Sequence, residues 1–543
     1  MAVTTVVRVL LVLIFAHAMS WSGPTQADSL YTVEEIVNRL ATGDVAEKVE
    51  AIEALTRSAD PAAVPLLQAL KDGTMAIAPD GRVIISTEDG VKDAITLQPL
   101  VPPPTQYEAV TTNNRVRGQL STALSAFQLY SKDAKERLEA AKSLESSAQP
   151  SVGPILTTVL AHETDAQIKA VLSQIKAGID LKSPDVVVRL TAAKALGAST
   201  SQRTKGLLYA LLEKDGSGQF LEPDARVREE AQFAIRMIDR RLALGEYAGR
   251  LFSGLSLGSI LLLAALGLAI TYGLLGVINM AHGEMIMIGA YATYMTQQII
   301  RLHAPGWVEW YPLFAVPIAF VAAALVGMAL ERTVIRWLYG RPLETLLATW
   351  GISLFLIQLV RQIFGAQNVE VANPSWMSGG IELTNVTLPY NRIVIMFFAL
   401  AVLGAMWLVL ARTRLGLFVR GVTQNRTMAA CVGVPTGRVD LMAFGLGSGI
   451  AGLAGCALSQ IGNVGPDLGQ GYIIDSFMVV VLGGVGQLAG TVYAALGLGV
   501  AMKFMEPYIG AVLTKILILV LIIAFIQKRP QGLFALRGRA VEA

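Results

Sequence analysis

From Leu251 to Gly283 the chain carries no Asp, Glu, Lys or Arg. As one helix those 33 residues would run about 50 Å at ~1.5 Å per residue, against a bilayer core of ~30 Å. The stretch therefore has to turn. The turn falls where Asn279, His282, Gly283 and Glu284 interrupt the apolar sequence GLLGVINMAHGEMIMIG at 273–289. An imidazole and a carboxylate at a membrane break are costly unless they face protein, water or headgroups, so they mark a functional site. The competing reading makes them caps of a helical hairpin at the cytoplasmic surface.

Around this stretch the 543 residues divide into unlike halves. Residues 28–249 are rich in charge and hold no uncharged run long enough to span a bilayer; residues 250–543 are apolar, Gly-rich and sparsely charged. A net charge of +3 with no basic tract argues against nucleic acid as a partner. The two cysteines, Cys431 and Cys456, both lie in the apolar half, so the charged half has no disulfide framework, and no metal-ligand spacing occurs. Arg8, the short apolar core from Val9 to Ala16 and Thr25-Gln26-Ala27 fit a secretory signal over residues 1–27. Cleaved or retained as an anchor, that segment places residues 28–249 in the periplasm.

Three segments of the charged half resemble one another: 50–55, 139–144 and 191–196. Each is followed by a polar break and a second apolar-periodic stretch, at 64–70, 152–160 and 206–212. Helix, turn and helix is the pattern of HEAT-like pairs, in which neighbouring repeats bury each other's apolar faces. Arg137, Arg189 and Arg228 recur at comparable places, either as a binding stripe or as solvated helix residues. Asp80-Gly81 between 75–78 and 82–86 signals a β-hairpin insertion, with a second strand pair open before Pro102-Pro103-Pro104. No nucleophile stands beside a base here, so the domain reads as an interaction or structural module.

The apolar half offers segments at 254–278, 284–300, 311–330, 343–362, 391–411, 440–461, 473–487, 489–504 and 511–527. Arginines crowd the loops at 332–341 and 412–438 and the tail from Lys528, which makes those parts cytoplasmic. A start outside and a finish inside require an odd number of crossings, and nine fits; a broken or re-entrant segment at 473–504, around Gly483, Gly484, Gly486 and Gly490, is the alternative. Glycines four apart, such as Gly254/Gly258 and Gly445/Gly449, favour close helix crossing. Gly447-Ser448-Gly449-Ile450-Ala451-Gly452 satisfies G-x-G-x-x-G inside a span with no preceding strand, so a dinucleotide site is rejected. With no P-loop lysine pattern, the chain does not bind the nucleotide that drives it. The expected fold is all-α, a polytopic transmembrane bundle preceded by the helical-repeat domain. No catalytic residue and no cofactor is expected.

The loop Arg412 to Arg438 suggests one short helix from Leu417 to Val434, stopped by Gly433 and Pro435. Such a helix either presses into a partner's groove or lies on lipid headgroups. Together with GLLGVINMAHGEMIMIGAY (273–291), VRGVTQNRTMAACVGVPTGRVD (419–440), FGLGSGIAGLAGCALSQ (444–460) and VVVLGGVGQLAGTVYAALGLG (479–499), these residues resemble the permeases of the branched-chain amino acid type of ABC importer. The resemblance covers nearly all of 250–535. The signal sequence, the helical-repeat domain and the tail RPQGLFALRGRAVEA look like the urea-importer branch of that family. The resemblance implies a bacterial inner-membrane complex: a periplasmic binding protein, a second permease subunit and two cytoplasmic ATPases. It also implies that a loop helix docks in the ATPase, carried here by Gly421, Asn425, Arg426, Ala429, Ala430 and Gly433. Met428 stands where the docking pattern has Glu.

A path for urea needs polar side chains or free backbone groups without a compensating charge, and Asn279, His282, Glu284, Gln460 and Asn463 are the candidates, with backbone near Gly483 and Gly484. An amino-acid substrate would want an anion site such as a half-helix amino terminus, with a carboxylate for its ammonium. Branched-chain amino acid uptake is the alternative within transport. A passive urea channel fits the arginine-rich loop poorly, and nine Gly-rich spans are excessive for a membrane-anchored scaffold.

Overall fold

The computed structural model describes residues 32–534 except 88, 89, 101, 103, 105 and 384, so the signal sequence lies outside the described residues. The chain separates into two compact units, one ending at Arg240 and the other beginning at Arg241.

The first unit opens with α1 (Val33–Thr42), α2 (Val45–Ser58) and α3 (Val64–Asp72). Thr32 and Glu35 close a capping box on α1, as Asp44 and Glu47 do on α2, each side chain binding the other's backbone N–H. Strands β1 (Met75–Ile77), β2 (Val83–Thr87), β3 (Gly90–Asp93) and β4 (Glu108–Ala109) follow. The hairpin at Asp80-Gly81 forms, and ahead of the proline run β3 pairs back on 98–100 through a Lys92–Pro99 bridge, while β3 and β4 do not pair with each other. They add to its two edges, giving an antiparallel sheet in the order β3-β2-β1-β4. Helices α4 (Asn114–Gln128), α5 (Ala134–Ser147), α6 (Gly153–His162), α7 (Ala166–Asp180), α8 (Val186–Leu196) and α9 (Gln202–Ala210) complete the unit, up to the first turns of α10 (Ala225–Leu275). The repeated segments sit on α2, α5 and α8. Neighbours pack in series, α4 on α2, α5 on α4, α7 on α5 and α8 on α7. Leu40, Leu67, Leu120, Leu144, Ile155 and Leu172 lie in one continuous apolar core.

The three recurring arginines are neither a stripe nor solvated. Each stands four residues after an Asp that accepts from the second N–H of its helix: Asp133, Asp185 and Asp224. Arg137 Nη1 folds back to donate to the carbonyls of Ser131 and Lys132, both at 3.1 Å, and Arg189 Nη1 does the same to Ser183 and Pro184 at 2.9 Å. Arg228 Nη1 reaches Glu222 O and Pro223 O at 2.7 and 2.8 Å. The remaining nitrogens of Arg137 grip Glu163 in a fork, at 2.9 and 3.1 Å, and those of Arg189 grip Glu222, at 2.8 and 2.9 Å. Arg137 and Arg189 thus tie their own loops to the loop that starts a later helix, while Arg228 braces the loop before its own helix.

In the second unit α10 is followed by α11 (His282–His303), α12 (Tyr311–Thr333), α13 (Pro342–Phe364), the hairpin β5 (Gly380–Leu383) and β6 (Val386–Pro389), and α14 (Tyr390–Arg412). Then come α15 (Arg414–Gln424), α16 (Arg426–Cys431), α17 (Thr436–Leu458), α18 (Gln470–Gly483), α19 (Leu488–Ile509) and α20 (Ala511–Lys528). All nine apolar segments become helices, but among the described residues seven are long and apolar enough to cross a membrane: α10, α12, α13, α14, α17, α19 and α20. α11 carries too many polar residues, among them Glu284, Gln297 and Arg301. α18, at 14 residues, is about 21 Å long and falls short of a bilayer core. α17 is the hub, packing on both α12 and α11. It also crosses α10 where Gly447 meets Gly267; a Cβ on Gly447 would lie 2.7 Å from the Gly267 carbonyl oxygen. Two backbones approach this closely only where both lack side chains.

Candidate functional site

The break after α10 turns back into the bundle instead of capping a hairpin at its end. His282 Nε2 donates to the carbonyl of Ala264 at 3.0 Å, and Ala264 stands eleven residues before Leu275. At ~1.5 Å per residue α11 therefore starts about 16 Å up from the end of α10. Asn279, His282 and Glu284 are all buried. Asn279 Oδ1 accepts from Ala281 N at 3.0 Å, Met280 N donates to Thr349 Oγ1 at 3.1 Å, and Ser353 Oγ donates to Glu284 Oε1 at 2.5 Å. Thr349 and Ser353 are one turn apart on α13, which aims both at the break. Three polar atoms there have no partner among the described residues: Asn279 Nδ2, His282 Nδ1 and Glu284 Oε2. A buried unpaired group costs about 1–3 kcal/mol, so three together mark a site under functional demand.

A second helix start meets the first. Gly469, which opens α18 without a side-chain cap, presses on Gly283; a Cβ on Gly283 would lie 2.8 Å from the Gly469 carbonyl oxygen. α18 then runs to the turn at Gly486, which meets Gly273 near the end of α10. Two segments, α10–break–α11 and α17–loop–α18, thus cross at Gly267/Gly447 and present the starts of their second helices to each other at Gly283/Gly469. Paired discontinuous helices of this kind are how transport proteins bring helix termini and polar backbone to mid-membrane.

The other candidates are placed elsewhere. Gln460 is buried and engaged: its Oε1 accepts from Tyr311 Oη at 2.9 Å, its Nε2 donates to Ser459 Oγ at 3.1 Å and its carbonyl accepts from Asn391 Nδ2 at 3.0 Å. Tyr311 and Gln297 also bind Ala372, giving a polar network with no hydrogen bond to the break. Asn463 is exposed. Gly483 and Gly484 do not offer free carbonyls to a path. Phe534 N of the tail donates to Gly483 O at 3.3 Å, and Gln487 N donates to Gly484 O at 3.1 Å within the turn, so both are occupied. Gly484, at φ +102°, makes the turn that lets Phe534 approach. Thr349, Ser353, Gln297 and Tyr311 are sites that the sequence did not single out, because their partners lie 61 to 149 residues away. Helical spacing of Thr345, Thr349 and Ser353 is the one signal that marked a polar face.

The single helix expected at 417–434 is two. Asn425 is extended (φ −153°, ψ 104°), ends α15 and caps α16 by accepting from Met428 N. Gly421 O accepts from Asn425 N at 3.1 Å, and Gly433, at φ +87°, closes the turn with Ala430 O. Ala429 is buried while Ala430 is exposed. Leu417, Met428 and Val432 are 61%, 60% and 76% exposed, a set of bare apolar side chains on an arginine-rich loop. Arg426 is bound inward: its guanidinium pairs with buried Asp440 of α17 and lies 4.7 Å from the Tyr339 ring centroid. Tyr339 Oη in turn donates to Glu331 of α12 at 3.4 Å.

Seven long apolar helices and a polar break where α11 and α18 both start define a multi-pass membrane protein of the permease class. The chain belongs to the branched-chain amino acid permease family: residues 250–526 match the family described as "Branched-chain amino acid transport system / permease component". The high-affinity branched-chain amino acid transport system permease protein BraD of Pseudomonas aeruginosa is 29% identical over 294 residues, 53% of this chain and 95% of that protein. LivH of Escherichia coli K12, of the same description, is 28% identical over 291 residues, 52% and 94% of the two chains. The fructose import permease protein FrcC of Rhizobium meliloti is 30% identical over 171 residues, 29% of this chain and 46% of that protein. A framework shared by permeases named for amino acids and for a sugar does not itself set the solute.

Proposed function

We propose that this chain is the permease subunit of an ABC importer that moves amino acids of the branched-chain class inward by alternating access. The observation that carries the reading is the meeting of two helix starts at Gly283/Gly469 beside Asn279, His282 and Glu284, whose unpaired atoms are served when the site opens. A helix start suits the carboxylate of an amino acid and Glu284 suits its ammonium. The contact between the two glycines is the closed constriction. Residues 28–249, a HEAT-like repeat domain, stand in the periplasm, delivered there by the signal sequence. A periplasmic binding protein, a second permease and two cytoplasmic ATPases complete the complex in the inner membrane. α15 and α16 dock in an ATPase through Leu417, Met428 and Val432.

Nine crossings follow from this arrangement. The non-helical 276–281 completes the crossing that α11 begins partway, and 459–469 does so for α18.

Urea is the second reading. The break presents an amide nitrogen, an imidazole nitrogen and a carboxylate oxygen without a fixed cation, a set that matches a neutral solute rich in donors and acceptors. Uptake by proteoliposomes holding the chain with its ATPases and binding protein decides between them. ATP-dependent leucine uptake that urea does not compete supports the first; ATP-dependent urea uptake untouched by leucine supports the second. Flux of either solute without ATP removes both.

A further inference from the structure

Four ionisable side chains of the membrane unit border one cavity of about 320 Å³ between α10, α18, α19 and α20. Asp475 of α18 is buried and pairs with Lys515 of α20 at 2.8 Å; Lys503 and Glu506, one turn apart on α19, pair at 2.6 Å. Leu257, Met502 and Ala511 supply apolar wall, and Gly471 and Tyr472 bring in the first turn of α18. The space holds about ten waters at ~30 Å³ each. Charged groups within membrane helices are costly unless they face water or one another, and Lys503, Glu506 and Lys515 are each a third to a half exposed. A cavity with this lining is wet.

Its position ties it to the break. Leu257 stands seven residues before Ala264, about 10 Å along α10 from the level where His282 binds. Gly471 is two residues from Gly469, half of the closed contact with Gly283. The cavity therefore lies beside the helix start that forms the constriction.

We propose that this cavity is the vestibule that receives solute before the constriction, and that it takes small polar solutes of zero net charge bearing both donor and acceptor ends. Two ammonium groups face two carboxylates, so a lone anion or cation meets as much repulsion as attraction. A solute whose opposite ends carry opposite character satisfies both sides. Zwitterionic amino acids and urea share that chemistry. The assignment rests on the permease reading.

The test uses the full complex in proteoliposomes with a Cys431→Ser background and Ala511→Cys, in the apolar wall, as reporter. A membrane-impermeant thiol reagent added from the side bearing residues 28–249 labels this reporter, and excess leucine or urea slows that labelling at least threefold, whereas chloride and potassium at equal concentration do not. The solute that protects names the source. Lys503→Met and Glu506→Gln, at half-exposed positions that leave the Asp475–Lys515 pair intact, raise the KM of ATP-driven uptake about tenfold and leave its maximal rate near wild type. Absence of labelling overturns the wet vestibule. Labelling indifferent to both solutes, with KM unchanged in both variants, overturns the solute site while wild-type uptake stands. Protection without any ATP-driven uptake fails the importer reading and leaves the vestibule in place.

Discussion

Single residues decide whether the two helix starts can meet. A Cβ on Gly469 runs into the Gly283 carbonyl oxygen, and backbone on both sides leaves nothing flexible to yield. Gly469→Ala is expected to cost ~1–3 kcal/mol as overpacking does. It should lower the detergent-solubilised melting temperature and hold the contact open; an unchanged melting temperature with normal uptake refutes the closed contact. In the repeat unit the decisive residue is Glu163. The Arg137 hydrogen bonds hold its carboxyl below the usual carboxylate range, against the opposing effect of burial. A carboxyl depressed in the folded state contributes stability that is present above its unfolded value of ~4.3 and lost as pH falls through the folded one. Hydrogen exchange of α5 to α7 in the full chain should accelerate as pH drops below about 4, after correction for the intrinsic rate. Glu163→Gln should reduce protection at pH 7 and flatten that dependence.

At the scale of elements, what the sequence made legible was whatever repeats with a period. Helices in both halves, the hairpin at Asp80-Gly81 and the need for a turn near Asn279 all follow from apolar spacing and turn chemistry. What it hid depends on partners far along the chain. The arginines of the repeats looked solvated because Glu163 and Glu222 lie 26 and 33 residues away, and the spacing Asp-x-x-x-Arg was the available clue. Gly483 looked free because its partner, Phe534, arrives from beyond α20. Asn425 broke the loop helix because its side chain caps α16 better than it continues α15. That break gives Arg426 a role no loop composition discloses: it joins α16 to α17 through Asp440 and toward α12 through Tyr339 and Glu331. Arg426→Met should leave ATP hydrolysis by the assembled complex within about twofold and reduce uptake tenfold or more. Equal loss of both would make the residue a fold anchor alone, and Arg426→Lys, which keeps charge without the fork, should recover uptake only in part.

For the whole molecule the orientation follows from which loops hold arginine, and the chain carries its own reporter for it. Cys431 is exposed at the end of α16, while Cys456 is buried within α17. If Arg412 to Arg438 faces the cytoplasm, a membrane-impermeant maleimide should label the protein in inside-out vesicles and spare it in right-side-out ones. Cys431→Ser should abolish the label in both, since Cys456 is shielded. Residues 28–249 should show the opposite accessibility, with protease removing them from right-side-out vesicles alone. An odd number of crossings is required for the two reporters to lie on opposite faces. Between these reporters lie α10 to α14, which count five with α11 crossing and four without it. Labelling of Cys431 from the same side as proteolysis would therefore mean that α11 turns back without crossing. α18 lies beyond Cys431 and leaves this parity unchanged.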